Sequence, residues 1–105
     1  MKKQSIEHTQ LLILSLLASR DMYGYEMIVE LSRRSQNVFE MKEGTLYPVL
    51  HALEKEGYLE SYWDEFDNRK RKYYHITRKG KKCLVEKQEE WKLFTNTVNK
   101  VLEFA

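Results

Sequence analysis

EGTLYPVLHALEKEGYL, running from Glu43 to Leu59, is the most informative stretch of the chain. Its apolar residues Leu46, Val49, Leu50 and Leu53 recur at i, i+3, i+4 and i+7, which lays one greasy stripe along one side of a helix. Advancing about 100° per residue, the opposite side collects Gly44, Tyr47, Pro48, His51 and Lys55. This set offers donors, acceptors and an aromatic ring with little negative charge, which suits contact with base edges and phosphates. Thr45 is the expected N-cap, with Pro48 in the first turn, where its missing N–H breaks no intrahelical bond. Gly57 then ends the helix by taking the left-handed conformation.

Downstream, Tyr58 to Trp63 and Lys72 to Ile76 are rich in aromatic and β-forming residues, with polar DEFDNRKR between them, which reads as a hairpin. Its tip carries Asp64, Glu65 and Asp67 on the first arm and Arg69, Lys70, Arg71 and Lys72 on the second, so electrostatic contact is expected from the second arm. The net charge of +2 hides this asymmetry. Eight basic and no acidic residues fall between Arg69 and Lys82, and subtracting these eight leaves the rest of the chain at −6. A solvated basic face is the ordinary reading of such a run. Here it is interleaved with Tyr73 and Tyr74 and closely follows a helix with a polar outer face, the arrangement that neutralises backbone phosphates beside a base-reading element.

Upstream, Ile6 to Ser19 reads as a helix apolar on nearly every side through Ile6, Leu11, Leu12, Ile13, Leu14, Leu16 and Leu17, so it must be covered on more than one face. A turn at Arg20 to Gly24 leads to a second helix from about Tyr25 to Ser35, with Met27, Ile28 and Leu31 inward. Gln36 to Lys42 is a short connection, with a one- or two-residue strand expected at Phe39 to Met41. Helix, connection and helix make a helix-turn-helix with an extended turn. After the hairpin, Thr77 can cap a last helix from Arg78 to about Phe104, in which Leu84, Trp91, Phe94, Val98 and Val101 recur at intervals of seven, three, four and three. Such a seam wants a partner helix. With Leu11 it forms the expected dimer interface, packing within the protomer being the alternative.

Three separated motifs carry a resemblance. GTLYPVLHALEKEGYL, followed by RKRKYYHITRKG at Arg69 to Gly80 and preceded by MYGYEM at Met22 to Met27, resembles the PadR family of winged-helix transcriptional regulators, in the right order and over most of the chain. The resemblance implies a mainly α fold with a small β-hairpin. Residues 1–77 would be a winged helix-turn-helix DNA-binding domain and 78–105 a C-terminal dimerisation helix, the two forming one compact unit. It implies a homodimer on a double-stranded, pseudo-palindromic operator. In the family's short-chain members a tryptophan eleven residues after the glycine that Gly80 matches lies at the dimer centre and in some stacks on flat, drug-like ligands. Trp91 is therefore a candidate platform for a small aromatic effector, against the plainer reading of interface packing. Many members have glycine at the wing tip where this chain has Asn68, which tolerates a left-handed turn.

The expected DNA-binding residues are thus Thr45, Tyr47, Pro48, His51 and Lys55 of the central helix and Arg69, Lys70, Arg71, Lys72 and Tyr73 of the wing. Composition excludes much else. A chain of 105 residues, 32% charged and 42% apolar, is one ordered domain, small enough for a dimer to supply extra core. Cys83 is the only cysteine, so no internal disulfide forms and an inert thiol is expected. His8, His51 and His75 are too scattered for a zinc site, and Asp64, Asp67 and Asn68 echo a calcium loop without its glycine and closing glutamate. No phosphate loop or catalytic triad is legible, so neither catalysis nor a cofactor is expected. Lys2 and Lys3 before LLILSLLA, with Ala18 and Ser19 after it, imitate a secretory signal. Glu7, His8 and Gln10 interrupt it and the run is too short to span a bilayer, so a cytoplasmic protein with no membrane partner is expected. A protein-binding adaptor using the same seam, and a small multidrug-binding protein or hydrolase, are the competing classes.

Overall fold

In a computed structural model that describes residues 6–104, four helices surround a three-stranded antiparallel sheet. The order is α1 (Ile6–Ser19), β1 (Met22–Tyr23), α2 (Gly24–Arg34), α3 (Glu43–Lys55), β2 (Leu59–Phe66), β3 (Arg69–Ile76) and α4 (Arg78–Leu102). Lys2 and Lys3 of the signal-like N-terminus lie outside the described residues. Among the described residues no helix is long and apolar enough to cross a membrane.

The helix α1 is the axis of the core. Ile13, Leu14, Leu16 and Leu17 are all buried, and the helix packs on α2, α3, α4 and β3 at once, as its all-round apolarity requires. The stripe read in α3 is the face that meets it: Leu46, Val49, Leu50 and Leu53 are each at most 4% exposed. Full burial of a side chain of this size stabilises by about 1.5–3 kcal/mol. Met22 of β1, Met27 and Leu31 of α2, Met41, Leu59 of β2, Tyr74 and Ile76 of β3, and Leu84 of α4 complete the cluster.

Three local expectations are corrected. The N-cap of α3 is Lys42, not Thr45, because the Lys42 carbonyl already accepts from the amides of Thr45 and Leu46, at 3.0 and 2.9 Å. Pro48 is consequently the sixth helical residue rather than a first-turn one, and its ring deprives the Gly44 carbonyl of a donor. Both residues lie on the exposed side, where solvent can replace that bond. No strand forms at Phe39 to Met41. Met41 instead turns into the core and Phe39 packs against it, while the short third strand is β1, pairing Met22 with Tyr74 and Tyr23 with Tyr73. The wing is also longer than its aromatic runs, since the polar flanks pair in register from Leu59↔Ile76 out to Phe66↔Arg69. Only Asp67 and Asn68 remain as the turn, at φ 52° and 61°, the two left-handed residues that a tight primed hairpin turn needs.

The end of α3 follows expectation. Gly57 has φ 81°, the amide of Gly57 donates to Glu54 and that of Tyr58 to Leu53, which is the Schellman arrangement. The start of α4 is bonded to this same turn. Thr77 caps α4 by accepting from the Gly80 amide at 3.0 Å. Its hydroxyl lies 2.7 Å from the Gly57 carbonyl and 3.1 Å from that of Tyr58. The Thr77 amide also donates to Tyr58, and the Lys79 ammonium donates to the Glu56 carbonyl at 2.8 Å. A helix of 25 residues is about 37 Å long, so α4 extends past the core and the molecule measures 58 Å along its longest axis.

Candidate nucleic-acid interface

With one side of α3 committed to the core, the other is open. Thr45, Pro48, His51 and Lys55 are exposed along it, and Tyr47 is half-buried. Tyr47 has a structural duty besides any contact it makes outward. Its ring and hydroxyl lie against Gly24 at the start of α2, where an added Cβ would overlap the hydroxyl and sit 2.9 Å from ring carbon Cζ. The glycine of MYGYEM is therefore the seat on which α3 rests, and Tyr47 in turn stands 6.4 Å, centroid to centroid, from the His51 ring.

The wing approaches this face from the side. Alternation along the strands puts Leu59, Ser61 and Trp63 on the face of β2 that covers the core. The Ser61 hydroxyl donates to the Glu54 carboxylate of α3, fixing the angle between helix and wing. Between them is a cleft of about 360 Å³ whose walls include Tyr23, Tyr47, His51, Trp63, Arg71 and Lys72 and no carboxylate. The Arg71 guanidinium carbon lies 4.4 Å from the Tyr23 ring centroid, and the Lys72 ammonium 5.6 Å from that of Tyr74. Each cation is thus steadied by a ring face. Among the described residues neither forms an ion pair.

Of the residues expected from sequence, the fold brings Tyr47, His51, Arg71 and Lys72 together around this cleft, with Thr45, Pro48 and Lys55 along the adjoining helix face. Arg69 and Lys70 stand further out near the turn, paired across the ladder with Phe66 and Glu65. Tyr73 is not with them. It lies on the other face of the sheet, stacked on Tyr62 at 5.7 Å and edge-on to Tyr23 at 5.5 Å. Arg71 and Tyr23 share that face by register and border the cleft only at its rim. That outer face also holds Asp21, whose carboxylate accepts from the Tyr62 hydroxyl at 2.6 Å and contacts His75 Nδ1 at 2.8 Å. Sequence reading missed Trp63 as a member of the cleft, and its alternation with Ser61 and Leu59 was the available signal.

A second region involves α4. Leu84, expected in the exposed seam, is in the protomer's own core at 7% exposure. Trp91, Phe94, Val98 and Val101 stay exposed. Trp91 meets His8 of α1 edge-on at 5.0 Å, and with Leu11, Lys87, Glu90 and Phe94 they border an open groove of about 580 Å³.

A model of the PadR-like family of transcriptional regulators matches residues 13–86. The chain belongs to this family. The regulator is 47% identical over 85 residues to an uncharacterised protein of Lysinibacillus sphaericus, a match covering 80% of this chain and 78% of that one. Over 74 residues it is 38% identical to a transcriptional regulator of Mycobacterium tuberculosis, covering 70% of this chain and 66% of the other. Its fold superimposes on a transcriptional regulator from Clostridium thermocellum with a TM-score of 0.84 at 39% identity, covering 90% and 92% of the two chains. Helix α3 is accordingly the second helix of the helix-turn-helix in a winged-helix fold, and β2–β3 is its wing.

Proposed function

We propose that this PadR-family regulator is a repressor that acts as a homodimer on a pseudo-palindromic operator and responds to a small ligand. One observation carries the reading: the exposed face of α3 borders a carboxylate-free cleft whose other wall presents Lys72 and Arg71, neither of which forms an ion pair among the described residues. In this reading Thr45, Tyr47, Pro48, His51 and Lys55 face base edges or nearby phosphates in the major groove. Arg69 to Lys72 hold the backbone beside it.

Dimerisation follows from α4. Trp91, Phe94, Val98 and Val101 make an apolar seam too long for a monomer to leave in water at no cost, and a second copy of the seam is its natural cover. Two α3 helices would then enter successive major grooves about one helical turn apart, and occupancy would block transcription. A flat aromatic effector stacking on Trp91 would alter the angle between protomers, weakening DNA binding only by its differential affinity for the two arrangements. Footprinting on the DNA around the protein's own gene tests the reading. The expected result is two protected, symmetry-related half-sites about one turn apart, and the absence of protection at low salt would overturn it.

A further inference from the structure

Trp63 is the largest apolar side chain on the wing, and it is 67% exposed. Its position is fixed from two sides. Leu59 and Ser61, on the same face of β2, are buried in the core and bonded to Glu54 of α3, respectively. Trp63, the next residue outward on that face, therefore emerges alongside α3 in the cleft it shares with His51. Its partner across the ladder is Lys72. One isolated exposed indole needs no explanation, but this one is flanked by cations that lack ion-pair partners among the described residues. Further out, Arg71 and Lys70 stand directly opposite Asp64 and Glu65, whereas Lys72 has Trp63 itself across the ladder. At the root of the wing, Trp63 and Lys72 thus set apolar area beside a positive charge with no carboxylate across the ladder from it.

That combination matches the wall of a DNA groove, where an apolar deoxyribose is bracketed by two phosphates. We propose that Trp63 is a DNA-contacting residue of the wing, its indole lying against deoxyribose while Lys72, with Arg71 at the rim, takes the adjoining phosphate. The inference rests on the DNA-binding reading given above and deepens it. A free oxyanion would use the cations but not the indole, which separates it from duplex DNA.

The test uses the full chain labelled with 5-fluorotryptophan, its resonances assigned with Trp63→Phe, and a mixed-sequence duplex of about 30 base pairs at about 50 mM salt, where backbone contacts dominate. The Trp63 resonance is expected to move on DNA addition and to stay in place with inorganic phosphate alone. Trp63→Ala should weaken binding about tenfold, an effect typical of losing one aromatic contact to nucleic acid. The slope of affinity against salt should not change, because no charge is removed. Trp63→Phe should recover most of the loss. Phe66→Ala, an equally exposed aromatic on the opposite face near the turn, should bind within about twofold of the parent, on the same scale. If the parent protein binds the duplex but Trp63→Ala is equally tight and the resonance is static, the assignment of Trp63 fails and the DNA reading stands. If phosphate alone moves the resonance as far as DNA does, the cleft is a small-anion site and the proposal is overturned. If the parent does not bind duplex at all, the DNA reading fails and Trp63 with it.

Discussion

The Tyr62 hydroxyl donates to the Asp21 carboxylate at 2.6 Å, joining residues 41 positions apart. This bond ties the first strand of the wing to the turn after α1, and Asp21 reaches the second strand through His75 at 2.8 Å. Partial burial pushes the Asp21 carboxyl up, but the hydrogen bonds from Tyr62 and His75 and the charge of His75 outweigh it and hold it below the ordinary value. The bond to Asp21, with smaller contributions from desolvation and the nearby charge, pushes the Tyr62 phenol up to about 12.

A tyrosine whose folded value exceeds its unfolded one stabilises fully below the unfolded value and loses that contribution as pH rises through the folded one. The melting temperature should therefore fall between the ordinary tyrosine value of 10.0 and about 12, and Tyr62→Phe should flatten that part of the profile. Asp21 acts at the other end, its contribution being present above the ordinary carboxylate value and lost as pH falls through its lowered one. Thermal melts of parent and Tyr62→Phe across both windows check the two signs, and coincident alkaline profiles would contradict the role of the bond.

Gly24 and Tyr47 make a second pair. Gly24→Ala forces a methyl into the Tyr47 hydroxyl and should destabilise by about 1–3 kcal/mol, the usual cost of overpacking. Combining it with Tyr47→Ala should cost less than the sum of the two single changes, as expected for residues in contact. Urea midpoints of the four proteins provide the cycle, and strict additivity would separate the two residues.

The basic arm of the wing leads to a third expectation. Removing the charges of Lys70 and Arg71 should weaken binding to all duplex sequences alike and reduce the salt dependence by about one unit per lost phosphate contact. Binding isotherms at several salt concentrations measure the slope, and an unaltered slope would remove these two residues from the backbone contact.

Trp91 is 41% exposed at the head of the α4 seam. Trp91→Ala should raise the dimer dissociation constant by about tenfold or more, the scale set by truncating a central aromatic of an interface. Sedimentation over a range of concentrations reads this directly. Unchanged assembly would mean that the seam is covered in some other way.

What was legible in the sequence divides along physical lines. The span of α1 followed from its apolar run, and that of α4 from a seam that keeps helical spacing although most of it is exposed. Thr77 capped α4 as its type suggested, and the buried stripe of α3 was readable because periodicity reports burial. The start of α3 was not, because its cap, Lys42, uses only its backbone carbonyl and leaves no side-chain signature. Strand β1 escaped because two residues cannot display an alternation; Met22 and Tyr23 are strand only by virtue of β3 beside them. The wing was read too short because Asp64 and Arg71, poor strand formers, are carried by the ladder that pairs them. For the site, the sequence identified cations and aromatics. Which of them share a face depended on register, which set Trp63 and Lys72 on the side facing α3 and Tyr73 on the other.

The knot of bonds at Thr77 has a mechanical meaning. Because Gly57, Tyr58, Thr77 and Lys79 lash the tail of α3 to the head of α4, the two rods share a fulcrum. Unless α4 bends along its length or that joint opens, a small swing at its far end is relayed to α3, so the longer rod is a lever whose short arm is the shorter helix.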